Sequence, residues 1–147
     1  MADDDLTQAE AKALVAMEKH AADEVVRDYP QPGRAITAPL VSADGKEHFL
    51  LDVTCGQIRL KVSHQTRCRK TIILVRLDLR GARHRNPDGR EIDAPHIHLY
   101  REGYDDKWAQ PVPDGHFVDL DDLFRTLQDF MKYCNMTNPP TIRPRLL

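Results

Sequence analysis

Cysteine is scarce and scattered in this chain. Cys55, Cys68 and Cys134 are too few and too far apart for a disulfide framework, and with no C-x-x-C pair they make no Cys-rich zinc module. No apolar run approaches the roughly 20 residues that carry a helix across a bilayer. The first ten residues, MADDDLTQAE, are acidic where a signal peptide would be basic. Together these absences predict a soluble, cytoplasmic protein with no membrane association. Internal repeats, low-complexity tracts and a glycine-rich phosphate loop are absent as well.

What is present is enough for one core. With 147 residues, 41% of them apolar, the reading is a single domain over residues 1–147. The net charge of -2 hides a segregation of sign. Residues 1–30 carry 3 basic and 8 acidic side chains, residues 57–90 carry 10 and 2, and residues 91–147 carry 6 and 10. A basic centre between acidic ends suits contact with nucleic acid or with an acidic protein surface, or else a solvated face balanced by the chain's own acidic helices.

Thr7-Gln8-Ala9-Glu10 has the pattern of a capping box, predicting an acidic N-terminal helix over about residues 7–27 that stops before Pro30 and Pro32. Strand periodicity then marks a sheet over about residues 47–101. Phe49, Leu51 and Val53 alternate, as do Ile58, Leu60 and Val62. A tight turn at Cys55-Gly56 would pair Val53 with Ile58, Leu51 with Leu60 and Phe49 with Val62, leaving Asp52 beside Arg59 and Leu50 beside Lys61. The run TIILVRLDL, residues 71–79, suits a central strand whose second half opens one face to Arg76 and Asp78. A C-terminal helix over about residues 120–135, capped by Asp119, carries the stripe Leu120, Leu123, Phe124, Leu127, Phe130, Met131 and Cys134. The proline-rich tail 138–147 reads as extended. The expected fold class is therefore α+β: an antiparallel sheet of about four strands with an N-terminal and a C-terminal helix.

The most telling stretch is LDLRGARHRNPDGREIDAPHIHLYRE, residues 77–102. Asn86-Pro87-Asp88-Gly89 is a strong turn signal, and a three-residue loop there pairs Asn86 with Arg90. Carried outward, that register sets Asp78 opposite His98, Arg76 opposite Tyr100 and Arg80 opposite His96, with His84 further out on the same face. Leu77, Leu79, Ile97 and Leu99 fall on the other face. Gly81 against Pro95 is the weak point of the ladder, because proline cannot donate to it.

This polar face supports three readings. Asp78 can orient His98, Arg76 and Arg80 can neutralise a phosphate, and His96 or Tyr100 can move a second proton, which are the parts for general acid and base cleavage of RNA without a cofactor. Arg59, Lys61, Arg67, Arg69 and Lys70 extend the basic surface for phosphate or partner binding. Alternatively His96 and His98, roughly 6.5 Å apart along one strand, share a divalent metal ion, with His84, Asp78 or His116 as a third ligand that local spacing does not fix. The plainest alternative is that the histidines are tolerated on a half-exposed sheet face. Trp108 and Tyr104, in the loop 103–115, read as a plug over the core edge or a platform for a base.

The string RLDLRGARHRNPDGREIDAPHIHLYREGYDDKWA resembles the signature of a small family of uncharacterised bacterial and phage or mobile-element proteins. An Arg- and Asp-bearing strand, a Pro-His-x-His strand and a C-terminal helix are also similar to small toxin components of toxin-antitoxin pairs. The resemblance implies a setting of defence or counter-defence, and it carries no established catalytic residue. The expectation is a nucleic-acid-directed protein of a mobile element, with toxin-like ribonuclease as its most specific form. The alternatives are an element-encoded inhibitor that docks on a defence or nucleoprotein complex, and a metal-binding sheet protein.

Overall fold

The computed structural model describes residues 5–57 and 61–145. In chain order the elements are α1 (Gln8–Ala16), β1 (Lys19–Ala21), β2 (Arg27–Asp28), β3 (Arg34–Ser42), β4 (His48–Cys55), β5 (Val62–Cys68), β6 (Ile72–Arg80) and β7 (His84–Arg85). They continue with β8 (Glu91–Ile92), β9 (His96–Leu99), β10 (Ala109–Pro111), α2 (Leu123–Tyr133), β11 (Met136–Asn138) and β12 (Ile142–Arg143). Eight strands form one mixed sheet in the order β10-β9-β6-β5-β4-β3-β1-β11, and β12-β2 and β7-β8 form two-stranded pairs. The expectation of about four strands with two substantial helices is thereby corrected. The protein is mostly β, with helices of 9 and 11 residues.

Each missed strand has a physical reason. Helical propensity in residues 17–27 gives way because β1 is held on both sides, antiparallel to β3 and parallel to β11. The Thr7 capping box is present, yet α1 ends at Ala16. Pro39 disguises β3 as a loop. Its carbonyl, which accepts from Ala22 N–H, faces the β1 side just past the end of that strand, so the missing N–H interrupts no ladder there. The tail is paired rather than merely extended, with Ile142 beside Arg27 and Arg143 beside Asp28. α2 begins at Leu123, three residues into the expected span, and Asp122 rather than Asp119 caps it.

The helix ends meet at a buried cation. Lys19 is fully buried, and its ammonium donates to the carbonyls of Val15, Met17 and Cys134 at 2.8 to 2.9 Å. It thus satisfies orphan carbonyls at the C-terminal ends of both helices. Burial pushes its pKa down to about 8.

Alternation sorts the sheet into two faces. On one, Val53, His64, Leu77 and Ile97 lie in a row of cross-strand neighbours, all buried, with Leu51, Thr66, Val75 and Leu99 in the next. Phe130 of α2 covers this face, its ring centroid 5.9 Å from that of His64. On the other, Thr37, Asp52, Gln65, Arg76 and His98 form a continuous polar row across β3, β4, β5, β6 and β9. Ser63, Asp78 and His96 form the adjoining row.

The expected β4–β5 register is replaced. Cys55 pairs with Val62, so Phe49 meets Cys68, Leu51 meets Thr66 and Val53 meets His64. Cys-Gly is a poor tight turn, and the chain makes a longer connection. The shift is even-numbered, so the apolar set keeps its face. Asp52 pairs with Gln65 and Leu50 with Arg67, not with Arg59 and Lys61. Arg59, together with Ile58 and Leu60, lies outside the described residues.

Candidate functional site

The turn at Asn86 forms as its sequence requires. Asn86 N–H donates to the Arg90 carbonyl, Gly89 N–H donates to the Asn86 carbonyl, and Gly89 takes φ +89°, a left-handed value that glycine accepts without a Cβ penalty. Beyond it His84 pairs with Ile92 and Arg85 with Glu91, in the expected register. The ladder then breaks at the Gly81 and Pro95 segment. It resumes with Arg76 opposite His98 and Asp78 opposite His96, two residues away from the expected pairs. An even shift preserves faces, so the same polar residues remain together while their partners change.

The result is a tight cluster. Asp78 Oδ2 lies 3.1 Å from His96 Nε2 and 3.2 Å from His98 Nε2. Backbone carbonyls hold the other ring nitrogens: His96 Nδ1 donates to Asp93 at 3.1 Å and His98 Nδ1 to Asp106 at 2.8 Å. His84 donates through Nε2 to the Lys107 carbonyl, and its ring stands edge-on to His98 with centroids 4.5 Å apart. Arg76 links the cluster to the loop, donating to the Asp106 carboxylate at 2.7 Å and to His98 Nε2 at 3.0 Å. His96 is 1% exposed and His98 0%, whereas the Asp78 side chain is 22% exposed. Burial pushes the Asp78 carboxyl up, but the contact with His98 and the Arg76 charge outweigh it, so it stays below its ordinary value and ionised at neutral pH.

Asp78 and Arg76 open into a cleft of about 450 Å³ lined also by Lys61, Ser63, Gln65, Arg80, Arg83 and His84. Arg83 is shared with Asp93 at 2.6 Å and Glu91 at 3.6 Å. Lys61 and Arg80 have no carboxylate partner among the described residues. The remaining basic candidates lie elsewhere. Arg67 is held by Asp52, donating to its two oxygens at 2.6 and 3.0 Å, with Gln65 and Thr37 on the same carboxylate. Burial pushes the Asp52 carboxyl up, and these donors bring it below its ordinary value. Arg69 and Lys70 form the turn at the far end of β5, where Arg69 approaches Glu10 at 4.0 Å.

Tyr100 does not join the cluster. Its hydroxyl donates to the Leu6 carbonyl and accepts from Leu6 N–H, tying down the segment before α1. Trp108 packs against Tyr104, and the Arg101 guanidinium lies 4.2 Å from its ring centroid, on the face a base would use. Asp106 is the residue that sequence reasoning missed. It holds both His98 and Arg76, but it sits in a loop without periodicity, and nothing in its neighbourhood marks it.

Asp78, His96 and His98 also have the donor atoms for a metal ion, all within 4.8 Å of one another. Among the described residues no helix is long and apolar enough to cross a membrane. No curated protein and no solved structure matches the chain. One family model does match, over residues 6–136, and these include the whole cluster and its cleft. The chain thus belongs to the family described as "Family of unknown function (DUF6978)".

Proposed function

We propose that this chain is a nucleic-acid-directed protein that takes a phosphate backbone in the cleft over Asp78. The lining carries this reading. Lys61 and Arg80, which have no carboxylate partner among the described residues, converge with the paired Arg76 and Arg83 and with His84 on one concavity, and unpaired cations attract phosphate most strongly where low-dielectric walls focus their field.

Ribonuclease activity is the more specific form of the proposal. A carboxylate backed by two buried imidazoles is a group that can take and return a proton. Because His96 and His98 are shielded, Asp78 and His84 would meet the substrate, and the histidine pair would act through Asp78. The resemblance to mobile-element and toxin proteins makes RNA in the cytoplasm the substrate class that fits.

The test is anisotropy of a short labelled single-stranded RNA, followed by electrophoresis of the same RNA. Binding should weaken by at least about tenfold in Arg80→Glu and in Lys61→Glu, and stay unchanged in Arg143→Glu, whose side chain pairs with Asp28 elsewhere. Equal binding by all four proteins overturns the cleft. Intact RNA after incubation, with binding retained, removes the ribonuclease form and leaves the binding form. Capture of an acidic protein complex with no affinity for free RNA would move the protein to the inhibitor class.

A further inference from the structure

We infer that Asp78, His96 and His98 hold a divalent transition-metal ion through Asp78 Oδ2 and the two Nε2 atoms. The inference stands independently of the nucleic-acid reading, because it rests on the placement of three donor atoms. The Asp93 and Asp106 carbonyls can only accept, so each imidazole carries a proton on Nδ1, and Nε2 is the ring atom left to ligate. Both Nε2 atoms face one carboxylate oxygen, at 3.1 and 3.2 Å. Three potential ligand atoms thus converge within 4.8 Å of one another.

The geometry fits an ion. Ligands about 2.0 to 2.1 Å from a metal are separated by roughly 3.0 Å in an octahedral and 3.3 Å in a tetrahedral arrangement, and the two nitrogen–oxygen distances fall between these. The Nδ1–H to carbonyl bonds are the outer-shell contacts that ligating histidines make. Two histidines and one carboxylate suit Zn²⁺, Fe²⁺ or Mn²⁺ and leave coordination positions open. Those positions would face the basic cleft, because Asp78 is the ligand that lines it.

Arg76 is the competing cation, and it is poorly seated. Its NH2 lies 3.0 Å from His98 Nε2. Its Nε lies 3.2 Å from Asp78 Oδ1 but is buried without a hydrogen-bonded partner. An ion binding at Oδ2 and the Nε2 pair would displace one guanidinium contact and leave the Asp106 contact in place.

Titrating the chelator-treated full chain with Zn²⁺ by calorimetry tests the site, and Co²⁺ absorption reports the ligand field. One ion should bind per chain. His98→Ala and Asp78→Asn should weaken it by more than the roughly 10- to 100-fold that loss of an outer-shell partner costs. His116→Ala, at an exposed histidine whose ring stands edge-on to Tyr133, should leave it unchanged. If the variants misfold, nitrogen NMR of the wild-type imidazoles decides, since Zn²⁺ should shift His96 Nε2 and His98 Nε2 and leave both Nδ1 protons in place. Absence of stoichiometric binding, binding unaffected by His98→Ala in a folded variant, or shifts confined to other histidines would each overturn the inference. RNA binding that persists without metal would leave the cleft reading intact while this one fails.

Discussion

The histidine on the apolar face of the sheet is set apart from the cluster by its surroundings. His64 is in the apolar core, with Nε2 2.9 Å from the Tyr29 hydroxyl and Nδ1 buried without a partner. Burial pushes its pKa down to about 3 from 6.5. Above pH 6.5 the ring is neutral both folded and unfolded. Below it the unfolded chain takes up a proton that the folded chain refuses, so stability falls on acidification at a limiting slope of about 1.4 kcal/mol per pH unit. Urea denaturation at pH 7 and pH 5 should therefore show a larger acid loss for wild type than for His64→Leu, and equal losses would contradict the assignment. Tyr100 belongs to the same scale. Tyr100→Phe removes both contacts with Leu6 and should cost about 1 to 3 kcal/mol in denaturant unfolding. RNA binding should be untouched, whereas a role for Tyr100 in proton transfer would show as lost turnover with stability intact.

At the scale of elements, the β7–β8 hairpin is fastened to the edge strand β10 by the side chain at its turn. Asn86, nearly buried, donates through Nδ2 to the Ala109 carbonyl and accepts from Ala109 N–H, imitating a strand partner for β10. Asn86→Ala should cost about 2 to 3 kcal/mol and speed hydrogen exchange at the Ala109 amide, while β6 amides keep their protection. This hairpin also shows what was legible in the sequence. Asn86-Pro87-Asp88-Gly89 announced the turn, and alternation put Arg76, Asp78, His84, His96 and His98 on one face. The pairs themselves were not legible, because the ladder resumes two residues out of step beyond Gly81 and Pro95, and nothing local sets the size of that step. In the register formed, Asp78 lies opposite His96 and diagonal to His98, 3.1 and 3.2 Å from their Nε2 atoms, a closeness that spacing alone left open. In the same way β3 hid behind Pro39 and β1 behind helix-forming residues. β3 is held by its hairpin with β4, whereas β1 is held by β3 and by β11 near the other end of the chain, a pairing that local pattern does not reveal.

For the whole molecule, charge segregation is read most directly in the sheet's polar face. The basic surplus of residues 57–90 does not form one continuous patch. Asp52 takes up Arg67, Asp106 and Asp78 take up Arg76, and Arg69 and Lys70 lie at the opposite end of β5 from Lys61. The cleft over Asp78 keeps Lys61 and Arg80 in its lining without a carboxylate partner among the described residues. This predicts a small electrostatic footprint. The decisive measurement is the affinity for single-stranded RNA as a function of salt. With two to four phosphates neutralised, the logarithm of the association constant should fall linearly against the logarithm of salt concentration with a slope of about -1.4 to -2.8, and Arg80→Glu should flatten it by roughly one. Affinity that does not depend on salt, or a slope identical in wild type and Arg80→Glu, would contradict a phosphate-binding cleft over Asp78.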